Sequence, residues 1–216
     1  MIDLTEAEIS QRLARALRET REANYTEYPT LRELLNIPPK PAAVLIPLLR
    51  NDNLWHLLFI RRTEDLHEHS DQVAFPGGRD EPEDVTPQQT ALREAGEEIG
   101  LKLDDIRILG QLRDFLTITN YRVTPVVGRI PWPYPLRLAP KEVRRAFTIP
   151  LDWLADPENH EERLRALPPP FTPIPVVYFR PYEGEVLWGA SARFTLALLE
   201  ILNPILSTTH PESVDM

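Results

Sequence analysis

The pattern along this 216-residue chain predicts one mixed domain, an α+β or α/β sandwich rather than a doubly wound parallel sheet. Three observations carry that prediction. Apolar strand-length runs and helical patterns are mixed without regular alternation, no internal repeat is present, and the length suits a single core with additions. The hydrophobic fraction of 42% and the charged fraction of 26% are ordinary for soluble domains. No apolar run approaches the roughly 20 residues that span a bilayer.

From the N-terminus, Ile9, Leu13, Ala16 and Leu17 fall at helical spacing, with Thr5 and Glu8 placed as a capping box, so a helix is expected over Thr5 to Leu17. A second short helical piece around Leu31 to Leu35 ends before Pro38-Pro39-Lys40-Pro41. Residues 1–39 are therefore read as an N-terminal helical extension, 40–204 as the main domain and 205–216 as a tail. Ala42 to Leu49 and Trp55 to Ile60 read as a hairpin around Asn51-Asp52-Asn53. Gln72 to Phe75 is a short third strand, and Pro76-Gly77-Gly78 breaks the chain before a helix from about Gln88 to Ile99 capped by Gly100. Strands follow at Ile106 to Leu112 and Tyr121 to Ile130, then a helix from Lys141 to about Phe147 and the segment Leu151 to Leu154. A late hairpin is expected from Ile174 to Phe179 and Glu185 to Trp188, with Pro175 at an edge, then a final helix from Ala192 to Leu202 burying Phe194, Leu198, Ile201 and Leu202.

Charge and composition narrow the chemistry. A formal net charge of -9 argues against a nucleic-acid partner, since that affinity comes from clustered Lys and Arg. A phosphorylated ligand would need local cations, and a divalent ion can supply them. With no cysteine, disulfides, thiolate metal sites and Cys nucleophiles are excluded. Met1 to Glu6 has neither signal-peptide nor transit-peptide character, so a cytoplasmic setting with no membrane partner is the expectation. A homodimer is left open. No Gly-x-Ser-x-Gly elbow or Gly-x-x-x-x-Gly-Lys loop is present, so serine-nucleophile and P-loop readings have no support.

The informative stretch runs from Gly78-Arg79-Asp80-Glu81-Pro82-Glu83-Asp84 to Arg93-Glu94-Ala95-Gly96-Glu97-Glu98-Ile99-Gly100-Leu101. At about 100° per residue, Glu94 and Glu98 lie roughly 40° apart on the helix, with Glu97 roughly 60° from Glu94. Like charges at this spacing weaken a helix by about 0.2–0.5 kcal/mol, so a bound divalent ion is a physical reason for the cluster. Carboxylates suit Mg²⁺ and Mn²⁺. Arg93, one turn before Glu97, is placed to hold its rotamer. An acidic helix face alone is usually solvated surface; here a glycine-rich turn, a second acid at Asp84 and the ordered Arg-Glu-x-x-Glu-Glu-x-Gly coincide.

These residues resemble the box of the Nudix family, G-x5-E-x7-R-E-U-x-E-E-x-G-U with U apolar, through Gly78, Arg93, Glu94, Ala95, Glu97, Glu98, Gly100 and Leu101. Asp84 replaces a glutamate, and eight residues rather than seven separate it from Arg93. The stretches Leu57 to Thr63, Gln72 to Gly78, Val123 to Gly128, Glu142-Val143 and Trp188 to Arg193 are similar to the coenzyme A pyrophosphatase branch, although His67, Asp71 and Ile60 depart from it. The resemblance covers most of residues 42 to 202. It implies an α/β/α sandwich with a mixed central sheet, a small nucleotide diphosphate substrate, and Mg²⁺ or Mn²⁺ held by Glu94, Glu97, Glu98 and the Gly78 carbonyl. Arg93 would orient Glu97. Glu142, otherwise an ordinary acidic residue at a predicted helix start, becomes a candidate general base or further ligand.

Arg61, Arg62, His67 and Arg79 are the candidate phosphate donors beside the box, each with a surface salt bridge as its ordinary alternative. His56 is read as a sheet residue, and Trp188 as core rather than as a base-stacking ring. Coenzyme A or a derivative is the leading substrate. ADP-sugars, dinucleotides and a non-catalytic nucleotide-binding module are the alternatives.

Overall fold

The computed structural model describes residues 2–19, 38–64, 71–117, 119–167 and 173–203. The expected helix at Leu31 to Leu35 and the tail at 205–216 lie outside them. The first helix, α1 (Glu6–Glu19), starts at the expected capping box: the Thr5 amide donates to Glu8 Oε2 at 2.8 Å and the Glu8 amide to Thr5 Oγ1 at 3.3 Å.

β1 (Lys40–Asn51) and β2 (Leu54–Arg62) pair as an antiparallel hairpin. Their two-residue turn has φ of 48° at Asp52 and 63° at Asn53, the left-handed pair whose twist matches the strands, adopted here by the residue types that tolerate it. β3 (Val73–Ala74) pairs with the end of β2. The expected break at Pro76-Gly77-Gly78 is instead a strand, β4 (Gly77–Arg79), which pairs with the start of β1. A Cβ at Gly77 would overlap the Ala43 carbonyl, so glycine here permits close pairing rather than a break.

α2 (Pro87–Ile99) begins at Thr86, whose capping box with Gln89 is complete, and ends at Gly100 with φ 71°. β5 (Arg107–Gln111), β6 (Phe115–Leu116) and β7 (Tyr121–Arg129) follow, β6 without a sequence signal of its own. The helix expected from Lys141 to Phe147 is not formed. β8 (Val143–Pro150) runs there instead, antiparallel to β2 over almost its whole length, and the ladder to β2 overrides the helical spacing of Val143, Ala146 and Phe147. α3 (Leu151–Leu154) is one turn.

β9 (His160–Arg165) and β10 (Ile174–Phe179) form a separate antiparallel pair. The late hairpin is thus partnered differently from expectation: β10 pairs along its length with β9, and the Glu185 to Trp188 segment joins it through one bridge, Tyr178 to Trp188. β9, whose one apolar residue, Leu164, is exposed, carries no strand pattern. α4 (Ala190–Leu202) is the last element of the described residues, with Phe194, Leu198 and Leu202 buried and Ile201 packed at the core's edge.

The main sheet is mixed, in the order β3-β2-β1-β7-β5, with β4 beside β1, β6 beside β7 and β8 beside β2. Only β1 and β7 among these pairs are parallel. Alternation along β1 and β2 divides two cores. Ile46, Leu48, Leu57 and Phe59 face a core with α1 and α4, while Leu45, Leu49, Leu58 and Ile60 pack on Ala91, Ala95 and Ile99 of α2. The result is the expected α/β/α sandwich. Beyond the Leu48–Leu57 pair, β1 and β2 part, and β3 and β4 take up the diverging edges. That opening positions the site. No helix among the described residues is long and apolar enough to cross a membrane.

Candidate active site

One cavity of about 840 Å³ opens at this fork. Gly78 and Arg79 of β4, Arg62 of β2, Glu94 and Glu98 of α2 and Glu142 before β8 line it together. These residues are 80 positions apart at the extremes in sequence and meet because α2 packs on β1 and β4 while β8 pairs with β2.

Glu98 is the most buried of the acids, with its side chain 1% exposed. Its Oε1 accepts from Arg62 Nη1 at 2.9 Å and its Oε2 from the Gly77 amide at 2.9 Å. Burial pushes its carboxyl up to about 7, against the pull of Arg62 and the Gly77 N–H, with Glu94 and Glu142 adding to the rise. Burial also raises Glu94, opposed by Arg93, with Glu97 and Glu142 as smaller upward causes. Glu94 lies against Gly78, where any Cβ would overlap its carboxylate. Glycine at 78 thus lets the Glu94 carboxylate lie directly against the strand, and a larger residue would displace it.

Arg93 organises the edge of this group. It binds Asp84 through Nη2 at 3.0 Å, the Arg79 carbonyl at 2.8 Å, and Glu94 and Glu97 through Nη1 at 3.1 Å each. Asp84, with its side chain 6% exposed, therefore serves as the anchor of Arg93. Glu97 is 60% exposed and does not line the cavity.

The structure does not bring all the sequence candidates together. Arg61 points away from the cavity into a pair with Asp71, Nε to Oδ1 2.7 Å, and a second with Glu185 at 3.2 Å. Asp71 consequently adds no unpaired charge. His67 lies outside the described residues. Arg62 and Arg79 do line the cavity, Arg79 with its guanidinium 5.1 Å from the Tyr121 ring centre. His56 is buried in β2, as expected of a sheet residue, and burial lowers its pKa. Trp188 corrects its core reading: it is half-buried and lines the cavity. Arg165 on β9 also lines it, and only strand pairing, not local sequence, reveals that wall.

Among the described residues, no three His, Asp or Glu side chains stand as a closed group of metal ligands, because Glu97 turns to Arg93 and Glu98 to Arg62. The donor chemistry nevertheless fits a hard divalent cation. Beyond the effect of burial, Glu142 raises both Glu94 and Glu98, and Glu94 adds to the rise at Glu98, a concentration of negative charge that such an ion would offset.

The NUDIX domain model matches residues 39–169, and the chain belongs to the Nudix family. Membership implies metal-dependent hydrolysis of a diphosphate bond in a nucleotide derivative as the class of reaction. A Photorhabdus laumondii subsp. laumondii protein described as an uncharacterized Nudix hydrolase NudL is 35% identical over 175 residues, covering 73% of this chain and 87% of the relative. A Yersinia pestis protein of the same description is 35% identical over 157 residues, covering 70% of this chain and 74% of its own. Among solved structures, the Nudix hydrolase RenU of M. smegmatis superposes with a TM-score of 0.47 at 21% identity, over 55% of this chain and 74% of that one.

Proposed function

We propose that this protein cleaves the diphosphate of coenzyme A or a coenzyme A derivative, giving 3′,5′-ADP and a phosphopantetheine product, with Mg²⁺ or Mn²⁺ as cofactor. The observation that carries the reading is the composition of the cavity at the fork of β1 and β2. Its acidic and basic part, Glu94, Glu98, Glu142, Arg62 and Arg79, is continuous with an apolar part lined by Phe115, Val123, Ile174, Val176 and Phe194. A substrate with a charged centre and a long, weakly polar arm matches both parts.

Glu94, Glu97, Glu98 and the Gly78 carbonyl are the groups that would hold the ion, whose chemistry when bound is polarisation of the phosphate and activation of water. Arg62 and Arg79 contribute positive charge to the diphosphate. Arg62 Nε is buried without a hydrogen-bond partner among the described residues, a donor that an anionic ligand would satisfy. Glu142 accepts the proton of the attacking water, and Arg93 positions Glu97.

The test is a panel of coenzyme A, dephospho-coenzyme A, ADP-ribose, ADP-sugars and dinucleotides incubated with Mg²⁺ or Mn²⁺, with the products identified by mass. Release of 3′,5′-ADP from coenzyme A as the preferred reaction is expected. Preferred cleavage of an ADP-sugar or dinucleotide would move the substrate elsewhere in the family, and tight binding without cleavage of any member would make the protein a nucleotide sensor.

A further inference from the structure

The wall of the cavity built from β9, β10 and the residues leading into α4 carries, beside Ile174 and Val176 of the apolar part, an aromatic surface that the diphosphate chemistry does not use. Trp188 belongs to neither core cluster, although it is among the largest side chains in the protein. Its ring stacks on that of Tyr178, with centroids 5.6 Å apart and planes 4° from parallel. Trp188 lines the cavity and Tyr178 does not, so the indole meets the cavity while the phenol ring supports it.

The support is rigid. The Tyr178–Trp188 bridge is flanked by hydrogen bonds from the Phe179 amide to the Leu187 carbonyl at 2.8 Å and from the Gly189 amide to the Val177 carbonyl at 3.0 Å. Upstream, Glu185 is tied to Arg61 at 3.2 Å and to Arg145 at 3.3 Å, fixing the approach of the chain to Trp188. Arg165, also in the cavity wall, has its guanidinium carbon 6.0 Å from the Trp188 ring centre and no carboxylate partner among the described residues. An indole held in place with an arginine beside it suits a flat heterocycle carrying anionic groups. An aliphatic arm would gain apolar burial there but neither stacking nor a charge contact, and it is matched by the wall at Phe115, Val123 and Phe194.

We infer that Trp188, flanked by Arg165, is the subsite on which the purine base of the substrate stacks. The inference rests on the reading of this cavity as the nucleotide diphosphate site, and its test uses ligands that cannot be cleaved. α,β-Methylene-ADP and methylenediphosphonate differ by the nucleoside alone, and calorimetric titration with Mg²⁺ present measures each. Trp188→Ala is expected to weaken binding of α,β-methylene-ADP by about tenfold or more and to leave methylenediphosphonate within about twofold. Trp188→Phe should retain most of the nucleotide affinity, and Arg165→Ala should weaken the nucleotide alone. Should Trp188→Ala fold poorly, the Phe and Arg165 variants decide by themselves. Equal loss on both probes, no loss on either, or a wild-type protein that binds the two probes equally overturns the assignment. Whether coenzyme A is cleaved does not enter these titrations, so failure of the hydrolase reading is separately visible in the substrate panel.

Discussion

Arg62 Nη1 sits 2.9 Å from Glu98 Oε1, joining the last residue of a central strand to an acid that is 1% exposed on the box helix. Burial of this acid, opposed by Arg62, gives the stability of the fold a pH dependence. Glu98 titrates at about 7 in the fold against 4.5 for an ordinary glutamate, so between these values the folded state binds more protons than the unfolded chain. Its contribution to stability is therefore present below about 4.5 and lost as pH rises through about 7. In metal-free buffer the melting temperature of the wild type is expected to fall relative to that of Glu98→Gln as pH is raised through this range. Parallel pH profiles for the two proteins would show that Glu98 is ordinary in the fold.

Replacing Glu97 and Glu98 one at a time by Gln should lower turnover by about a hundredfold or more with the protein still folded, since each change removes a charged group from the proposed ion site. The two variants are expected to differ in stability. Glu97 is 60% exposed and its loss leaves the melting temperature nearly unchanged, whereas Glu98 is buried and its replacement shifts it. Full activity in both would remove the metal assignment.

Arg93 gives a coupled prediction. It is shared by Asp84, Glu94 and Glu97, so Arg93→Ala should cost roughly 1–3 kcal/mol of stability and also lower kcat. Asp84→Asn acts on the same arginine, so the double variant should lose less than the sum of the singles. Denaturant titrations and kinetics of the three proteins measure this. Additive losses would mean that Asp84 and Arg93 act separately.

Much of this framework is legible in local sequence because local forces make it. The β1–β2 turn needs residues that tolerate positive φ and has Asp52 and Asn53; α2 ends where Gly100 allows the left-handed cap. The box spacing similarly marks Glu94 and Glu98. What sequence hides is what pairing decides. Val143, Ala146 and Phe147 suit a helix or a strand, and β2 makes them a strand. The HEERLR run of β9 has one apolar residue, Leu164, so neither its strand nor the position of Arg165 in the cavity wall leaves a local signature. Arg61 and Arg62 are equivalent as cations in sequence, yet Asp71 and Glu185 take one and Glu98 takes the other.

Glu142 lines the cavity from the turn before β8, with its amide bonded to the Ala139 carbonyl at 3.0 Å. A group that takes the proton of the attacking water affects the chemical step more than substrate binding. Glu142→Gln is therefore expected to lower kcat with KM nearly unchanged in steady-state assays. Unaltered kinetics would return Glu142 to an ordinary surface role.

Arg61, Arg62 and Arg79 have different partners, and selectivity among substrates should follow that difference. Coenzyme A exceeds ADP-ribose by a 3′-phosphate and a long arm, so discrimination requires an added cation and not a different ion site. Arg61 is held by Asp71 and Glu185 outside the cavity, so Arg61→Ala should reduce stability and leave substrate preference unchanged. Arg62 is bound to Glu98 in the acidic part of the cavity, so Arg62→Ala should slow every substrate together and shift preference less. Arg79 lines the cavity with its guanidinium over the Tyr121 ring, and it is the cation proposed to meet the 3′-phosphate. A charge-assisted contact contributes roughly 1.5–3 kcal/mol, about ten- to over a hundredfold in kcat/KM. The wild type should thus favour coenzyme A over dephospho-coenzyme A and ADP-ribose, and Arg79→Ala should shrink that ratio by about tenfold or more. Ratios that respond to Arg61 and not to Arg79 would contradict the division of labour, and equal kcat/KM on all three substrates in the wild type would remove coenzyme A selectivity altogether.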